Sequence, residues 1–182
     1  MNRRISFIYS IAIFTFMVTM IGIFSVPNVL AQNNTNQTSA VQNIPGQPQT
    51  FVATLTGQDV VPPVDDSKAK GLAEFKFDPQ TNEVDYTVSV RDMDNILNAV
   101  IQTGTPGING PIVVYLFRSD TPTGQINGDL ASETIESNEL EGSMEGQTLQ
   151  DFVNAINNGN LYVSVTSAEF PNGEIRGTIS PS

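Results

Sequence analysis

The chain has 182 residues, 19 of them acidic and 8 basic, which gives a net charge of −11. Two of the basic residues, Arg3 and Arg4, belong to the N-terminal segment, and without them the charge is −13. So negative a surface argues against nucleic-acid binding and against contact with anionic lipid head groups. The sequence has no Cys and no His, which excludes disulfides, thiolate and imidazole metal sites, and Ser-His-Asp or Cys-His catalysis.

Residues 1–31 have the organisation of an export signal. Arg3 and Arg4 precede an uncharged, mostly apolar run over 5–26, and Val29-Leu30-Ala31 offers small residues for a signal peptidase. The run is also close to the roughly 20 residues that cross a bilayer as a helix. We therefore expect either cleavage after Ala31 or retention of 1–31 as a membrane anchor, with the rest of the chain at the cell surface or extracellular in both cases.

Residues 32–50 predict a flexible tether. They are rich in Asn, Gln, Thr, Ser and Pro, carry no charge and offer little apolar surface to bury. The tether holds two Asn-x-Thr triplets, beginning at Asn33 and Asn36, which composition alone explains unless the host glycosylates its proteins. The domain proper is expected over 51–182.

Apolar and polar residues alternate with period two along three runs, 51–56, 72–77 and 84–91, which predicts half-buried strands. Turn-forming residues at 78–82 separate the second run from the third. Further on, 97–101 predicts a strand with Leu97, Ala99 and Ile101 inward. The continuous apolar run 112–117 predicts a central strand covered on both faces.

One short helix is expected near the C-terminus, between the acidic stretch and the last two strands. Thr148 is a suitable N-cap with Asp151 three residues later, and Gly159 can end the helix in a left-handed turn. The final strands are marked by Val163 and Val165, and then by Ile175 and Ile179. The whole pattern predicts an all-β, antiparallel immunoglobulin-like or Greek-key sandwich or barrel of about seven or eight strands.

Three stretches resemble the CHRD domain, a family named for its occurrence in chordin. They are FVATLTGQDVVPP at 51–63, GINGPIVV at 107–114 and LYVSVTSAEFPNGEIRG at 161–177. The resemblance covers nearly all of 51–179, and GEIRG at 173–177 is its most characteristic part. It implies a secreted or cell-surface β-sandwich domain whose role is usually taken to be binding.

The chain departs from this family at three positions. Members commonly carry His-x-His before the Gly-x-Asn-Gly-Pro segment and a further His in the penultimate strand, where this chain has Val100, Gln102 and Thr166. Alternation places all three on one outward-facing, accessible patch if the two strands are neighbours, together with Tyr162 and Ser164. We therefore hypothesise that the chain binds no transition metal tightly, and that His at all three positions would create a zinc or copper site.

Other candidate sites have simpler structural explanations. Asp92 and Asp94 are weak candidates for a hard cation, but their spacing is not that of an EF-hand. The five Glu residues between 133 and 145 are interpreted as a mobile solvated loop. Glu174 and Arg176 are interpreted as a same-face ion pair on the last strand, or as partners of cross-strand neighbours. No carboxylate pair is fixed for glycoside hydrolysis, and Asp65-Asp66 is no exception.

We therefore expect a non-catalytic surface module without a cofactor, binding protein or polysaccharide or associated with the envelope. The alternatives are a calcium-type binding protein and a carboxylate-based enzyme. The oligomeric state is left open.

Overall fold

Nine strands form one antiparallel sheet in the computed structural model, which describes residues 46–182. The strands are β1 (Gln49–Thr56), β2 (Lys70–Asp78), β3 (Glu83–Met93), β4 (Ile96–Thr103), β5 (Ile112–Arg118), β6 (Ile126–Ile135), β7 (Leu161–Ser167), β8 (Ile175–Thr178) and β9 (Ser180–Pro181). Their order is β5-β4-β7-β8-β1-β2-β3-β6, with β9 beside β1, and the sheet curls into a nearly closed barrel. The predicted all-β class is confirmed, in its barrel form.

The N-terminal predictions fall mostly outside this range. The export segment 1–31 and tether residues 32–45 lie outside the described residues. The predicted tether ends too late, because Gln49 and Thr50 already pair with β2. Between residues 46 and 182 no helix is long and apolar enough to cross a membrane.

The period-two runs fill the barrel interior, as predicted. β1, β2 and β3 turn one face inward, and their inner side chains are almost completely inaccessible to solvent. The core continues through β7 and the chain after β8. These inner residues include Phe51, Leu55, Phe75, Phe77, Val84, Val88, Val163, Val165, Ile175 and Ile179. Each such side chain contributes about 1.5–3 kcal/mol when fully buried, so the core accounts for the closure of the sheet.

The predicted helix is confirmed as α1 (Leu149–Asn157). The hydroxyl of Thr148 accepts a hydrogen bond from the Asp151 amide at 3.1 Å, and the Asp151 carboxylate accepts one from the Thr148 amide at 3.1 Å. This capping box satisfies two amides that the first turn cannot pair. The apolar face of α1 is buried in the core and consists of Leu149, Phe152, Val153 and Ile156.

The predicted inward set of β4 is partly wrong. Ala99 and Ile101 are buried, but Leu97 is only half-buried and Ile96 takes its place in the core. The cause is a register shift between Ile96 and Asn98 in the pairing with β7, which offsets the alternation by one residue. Val100 is buried as well, from the outer side.

The apolar run 112–117 is a terminal strand, β5, rather than the predicted central one. It pairs with β4 alone, and the carbonyls along its other edge receive donors from outside the ladder: Glu141 N–H to Val113 and the Tyr86 hydroxyl to Leu116. Its apolar character therefore reflects a covered edge, which protects the strand from pairing with other chains.

The acidic stretch is ordered, contrary to its interpretation as a mobile loop. Glu133 lies on β6, a strand that the sequence analysis did not predict, and short 3₁₀ turns follow at Ser137–Glu139 and Gly142–Met144. Leu140 and Met144 anchor these turns in the core. The glutamates themselves face solvent, as expected.

The barrel has one seam, between β5 and β6, which lie at the two ends of the strand order. Tyr86 on β3 reaches across it from the interior, and its hydroxyl donates a 2.7 Å hydrogen bond to the Leu116 carbonyl. Burial, and then the charges of Glu133 and Glu139, raise the pKa of Tyr86 to about 12. The Tyr86 hydroxyl, which its raised pKa keeps neutral, therefore joins β3 to β5 across the seam.

Replacing Tyr86 by Phe should lower the free energy of unfolding by about 1–3 kcal/mol near pH 8, because the Leu116 carbonyl loses its donor. Burial raises the pKa of Tyr86 in the folded chain from its usual value of 10.0, so this contribution is complete below pH 10 and declines as the pH rises toward 12. Urea unfolding from pH 8 to pH 12 should show the advantage of the native chain over Tyr86→Phe shrinking in that window. A difference that stays constant across it would contradict this assignment.

Candidate functional site

A pocket of about 540 Å³ opens on the outer face of the sheet, where β5, β4, β7 and β8 run side by side. We call it the outer pocket. Two loops and a turn form its walls above the sheet. Its lining consists of Val60, Val61, Pro62, Asn98, Val100, Gln102, Asn109, Ile112, Tyr115, Tyr162, Ser164, Thr166, Pro171, Asn172 and Arg176.

Arg176 on β8 organises this pocket. Its side chain is only 3% exposed, and the guanidinium lies 3.5 Å from the centre of the Tyr162 ring. Nη1 donates to Asn109 Oδ1 at 2.9 Å, and Nη2 donates to the carbonyls of Thr105 and Ile108 at 3.2 and 2.9 Å. A buried cation is tolerated when its donors are satisfied and an aromatic face lies against it. Arg176 thereby fixes the 104–110 loop over the sheet.

Asn109 and Gly110 connect this loop to both sides of the pocket. The Asn109 side chain accepts from Arg176 and also donates from Nδ2 to the Val61 carbonyl at 2.8 Å, so it links the loop to the 57–64 segment. Gly110 accepts from Gln102 Nε2 at 2.9 Å and donates its amide to the Tyr162 hydroxyl at 3.2 Å. A Cβ at Gly110 would collide with the Thr103 carbonyl, so only glycine fits there.

The turn before β8 forms the remaining wall. Gly173 has a φ of +122°, and a Cβ there would lie 3.0 Å from the Ser164 hydroxyl. Glu174 and Arg176 were expected to pair with each other on one face or with cross-strand neighbours, and in the structure they do not bind each other. Glu174 accepts from the Ser67 hydroxyl at 2.8 Å, while Arg176 binds the loop. The GxNGP and GEIRG stretches thus meet through the contact between Asn109 and Arg176.

Several polar atoms in the pocket take no part in the hydrogen bonds that hold its walls. Asn98 donates from Nδ2 to the Thr166 hydroxyl at 3.4 Å, and Gln102 donates to Gly110, so in both amides the nitrogen is engaged with the protein. The two amide oxygens make no hydrogen bond within residues 46–182, nor does the Ser164 hydroxyl. The pocket therefore offers a ligand two carbonyl acceptors and the hydroxyls of Ser164 and Thr166.

The structure places Val100, Gln102 and Thr166 in this one pocket, on neighbouring strands as the sequence analysis supposed. Two features differ from that expectation. Loops cover part of the face, so that Val100, Tyr162 and Ser164 form a pocket floor that is at most 4% exposed, whereas Gln102 and Thr166 are half-buried. The positions also do not converge, because Thr166 pairs with Asn98 and Gln102 pairs with Tyr162.

That register separates Gln102 from Thr166 by four residues along the strands, or about 13 Å. Val, Gln and Thr supply no imidazole, thiolate or carboxylate, so the donors present do not fit a zinc or copper ion.

The cation candidates Asp92 and Asp94 lie elsewhere, at the exposed end of β3 and in the turn after it. The Asp92 amide donates to Asn127 Oδ1, which ties this turn to β6. Throughout residues 46–182 no three Asp or Glu side chains are grouped so that they could hold a metal ion.

Sequence reasoning placed Tyr162 on this face but missed the roles of Arg176 and Asn109, which build the pocket wall. One signal was available. Arg176 is the single basic residue after Arg118 in a strongly acidic chain, and it lies next to Ile175 in a predicted strand.

One of the comparisons with known proteins identifies a family. The family model of the CHRD domain matches residues 51–179, which is most of the chain. No curated protein and no solved structure shows significant similarity to it.

A histidine graft tests the register. Asn98, Val100 and Thr166 form a compact group, since Asn98 faces Thr166 directly and Val100 is two residues along β4. The variant Asn98→His/Val100→His/Thr166→His should bind zinc or copper with micromolar affinity. The matched variant Val100→His/Gln102→His/Thr166→His should bind at least about tenfold more weakly, because one imidazole is out of reach.

Calorimetric titration of both variants and of the native chain measures this difference, with circular dichroism as the control for folding. We expect no tight binding by the native chain. Equal affinities of the two variants would contradict the register of β4 and β7.

Proposed function

The chain belongs to the CHRD domain family, a family of extracellular type, and we propose that it acts as an exported, non-catalytic module that binds its ligand in the outer pocket. The N-terminal sequence supports export, because Arg3 and Arg4 precede a long apolar run and small residues. The ligand would then be a protein or polysaccharide of the cell surface or its surroundings.

The composition of the outer pocket carries this proposal. Within the described part of the chain its lining includes no Asp, Glu or Lys, and Arg176 is its single ionisable group apart from Tyr115 and Tyr162. General acid–base chemistry needs a positioned group that exchanges a proton near the working pH, and glycoside hydrolysis needs two carboxyl groups. A pocket of amides, hydroxyls and apolar walls supports binding rather than turnover.

The rigidity of the walls also favours a binding role. Arg176, Asn109 and Gly110 hold the loop in place through hydrogen bonds that need no ligand. A preformed pocket saves the entropic cost of ordering side chains when a ligand enters. Polar groups left free in it, among them those of Asn98, Gln102, Ser164 and Thr166, can recognise a ligand.

Filling the pocket should abolish binding. Asn98 is half-buried at its edge, and Asn98→Trp would place an indole inside without disturbing the core. The exported chain, residues 32–182, is applied to an array of immobilised glycans and peptides, and bound ligands are analysed by mass spectrometry after incubation. We expect binding that Asn98→Trp weakens by at least about tenfold, with the ligand recovered unchanged.

The matched control is Leu72→Trp, which adds the same indole to an exposed position on β2, outside the pocket lining. It should bind like the native chain. Conversion of a ligand by the native chain would contradict the non-catalytic role, and binding that survives Asn98→Trp would place the site elsewhere.

A further inference from the structure

The charges around the outer pocket restrict what it can bind. The domain is strongly acidic, with −13 for the chain without Arg3 and Arg4, and such a field lowers the local concentration of anions. A free cation is disfavoured inside the pocket for the opposite reason, because Arg176 lies in its wall. A neutral ligand is therefore the one that neither the negative charge of the domain nor the positive charge of Arg176 repels.

Two arginines lie in or next to the pocket wall, and only Arg176 lines it. The guanidinium of Arg176 donates its hydrogen bonds to Asn109 and to the carbonyls of Thr105 and Ile108. Arg118 is exposed near the mouth, and its guanidinium lies 3.6 Å from the centre of the Tyr115 ring, which lines the pocket. Arg176 therefore has no open fork left to bind a carboxylate through two parallel hydrogen bonds, and Arg118 is not among the residues that line the pocket.

The free polar atoms select for hydroxyl groups. Asn98 and Gln102 present carbonyl oxygens, which need donors, while Ser164 and Thr166 present hydroxyls, which can donate or accept. A carboxylate or phosphate cannot satisfy an amide oxygen, because an anionic oxygen is an acceptor only. A sugar hydroxyl can satisfy both kinds of partner.

The pocket side chains lie in successive rows across the two strands, which suits an extended ligand that carries many hydroxyl groups. Asn98 with Thr166, Val100 with Ser164, and Gln102 with Tyr162 are successive cross-strand pairs on one face. Same-face pairs recur every two residues, or about 6.6 Å along a strand. The apolar side chains of Pro62, Ile112 and Pro171 flank these rows and suit the C–H faces of sugar rings.

We infer that the ligand of the outer pocket is a neutral saccharide, recognised through its hydroxyl groups by Asn98, Gln102, Ser164 and Thr166. This inference rests on the proposed function and specifies the ligand of the same site. An acidic saccharide and a peptide are the competing ligand classes that the experiment has to separate.

The test is calorimetric titration of the exported chain with neutral gluco-, manno- and galacto-oligosaccharides and with the matched oligomers of uronic acids. An equimolar mixture of short unstructured peptides forms a third arm. We expect one of the neutral oligosaccharides to bind, and its affinity to change less than about twofold between 50 and 500 mM salt, because no charges are paired.

Thr166→Val and Ser164→Ala remove one hydroxyl each and should weaken that binding by about tenfold, the effect of a lost hydrogen bond. Arg118→Gln should change it less than about twofold. Thr87→Val is the matched control, since Thr87 is a hydroxyl on the outer face of β3 that pairs with Ser132 outside the pocket.

The outcomes separate the two proposals. Preferential binding of uronic acids with loss in Arg118→Gln, or of peptides, would overturn the neutral saccharide and leave a binding module at this pocket. Neutral binding that is unaffected by Thr166→Val and Ser164→Ala would overturn the recognition described here. No binding in any arm by the folded chain would overturn the proposed function as well.

Discussion

The burial of one guanidinium group determines how the outer face of this barrel is built. Transferring an unpaired cation out of water costs several kcal/mol, so Arg176 is stable at 3% exposure only with its partners in place. Those partners are two loop carbonyls, the amide oxygen of Asn109 and the face of the Tyr162 ring. Because three of the four belong to the 104–110 loop or depend on it, the charge and the loop stabilise each other.

The same interaction explains why the pocket exists as a cavity rather than a flat sheet face. The loop is held above β4 and β7, and Asn109 extends that constraint to the 57–64 segment through Val61. Side chains that would be surface residues on an uncovered strand, such as Val100 and Ser164, become a sheltered floor. Because the Arg176 charge is paired within the protein, the groups left to recognise a ligand are neutral amides and hydroxyls. This supports saccharide binding over ionic recognition.

Local patterns in the sequence predicted the local structure well. Alternation along 72–77 and 84–91 and the Thr148 capping box predicted the strands and the helix, because each depends on neighbouring residues alone. The bulge after Ile96 and the terminal position of β5 depend on pairing partners far along the chain, and no local pattern reports them. The pocket was missed for the same reason: Asn109 and Arg176 are 67 residues apart, and their contact follows from strand order.

A double-mutant cycle for Asn109 and Arg176 tests most directly whether this interaction organises the pocket. Unfolding free energies of the native chain, Asn109→Ala, Arg176→Met and the double variant give the coupling between the two side chains, with the Asn109 bond to Val61 cancelling out. We expect a favourable coupling of about 1–3 kcal/mol, since the Asn109 amide oxygen accepts a hydrogen bond from the buried guanidinium of Arg176. Effects that add to within about 0.5 kcal/mol would contradict it.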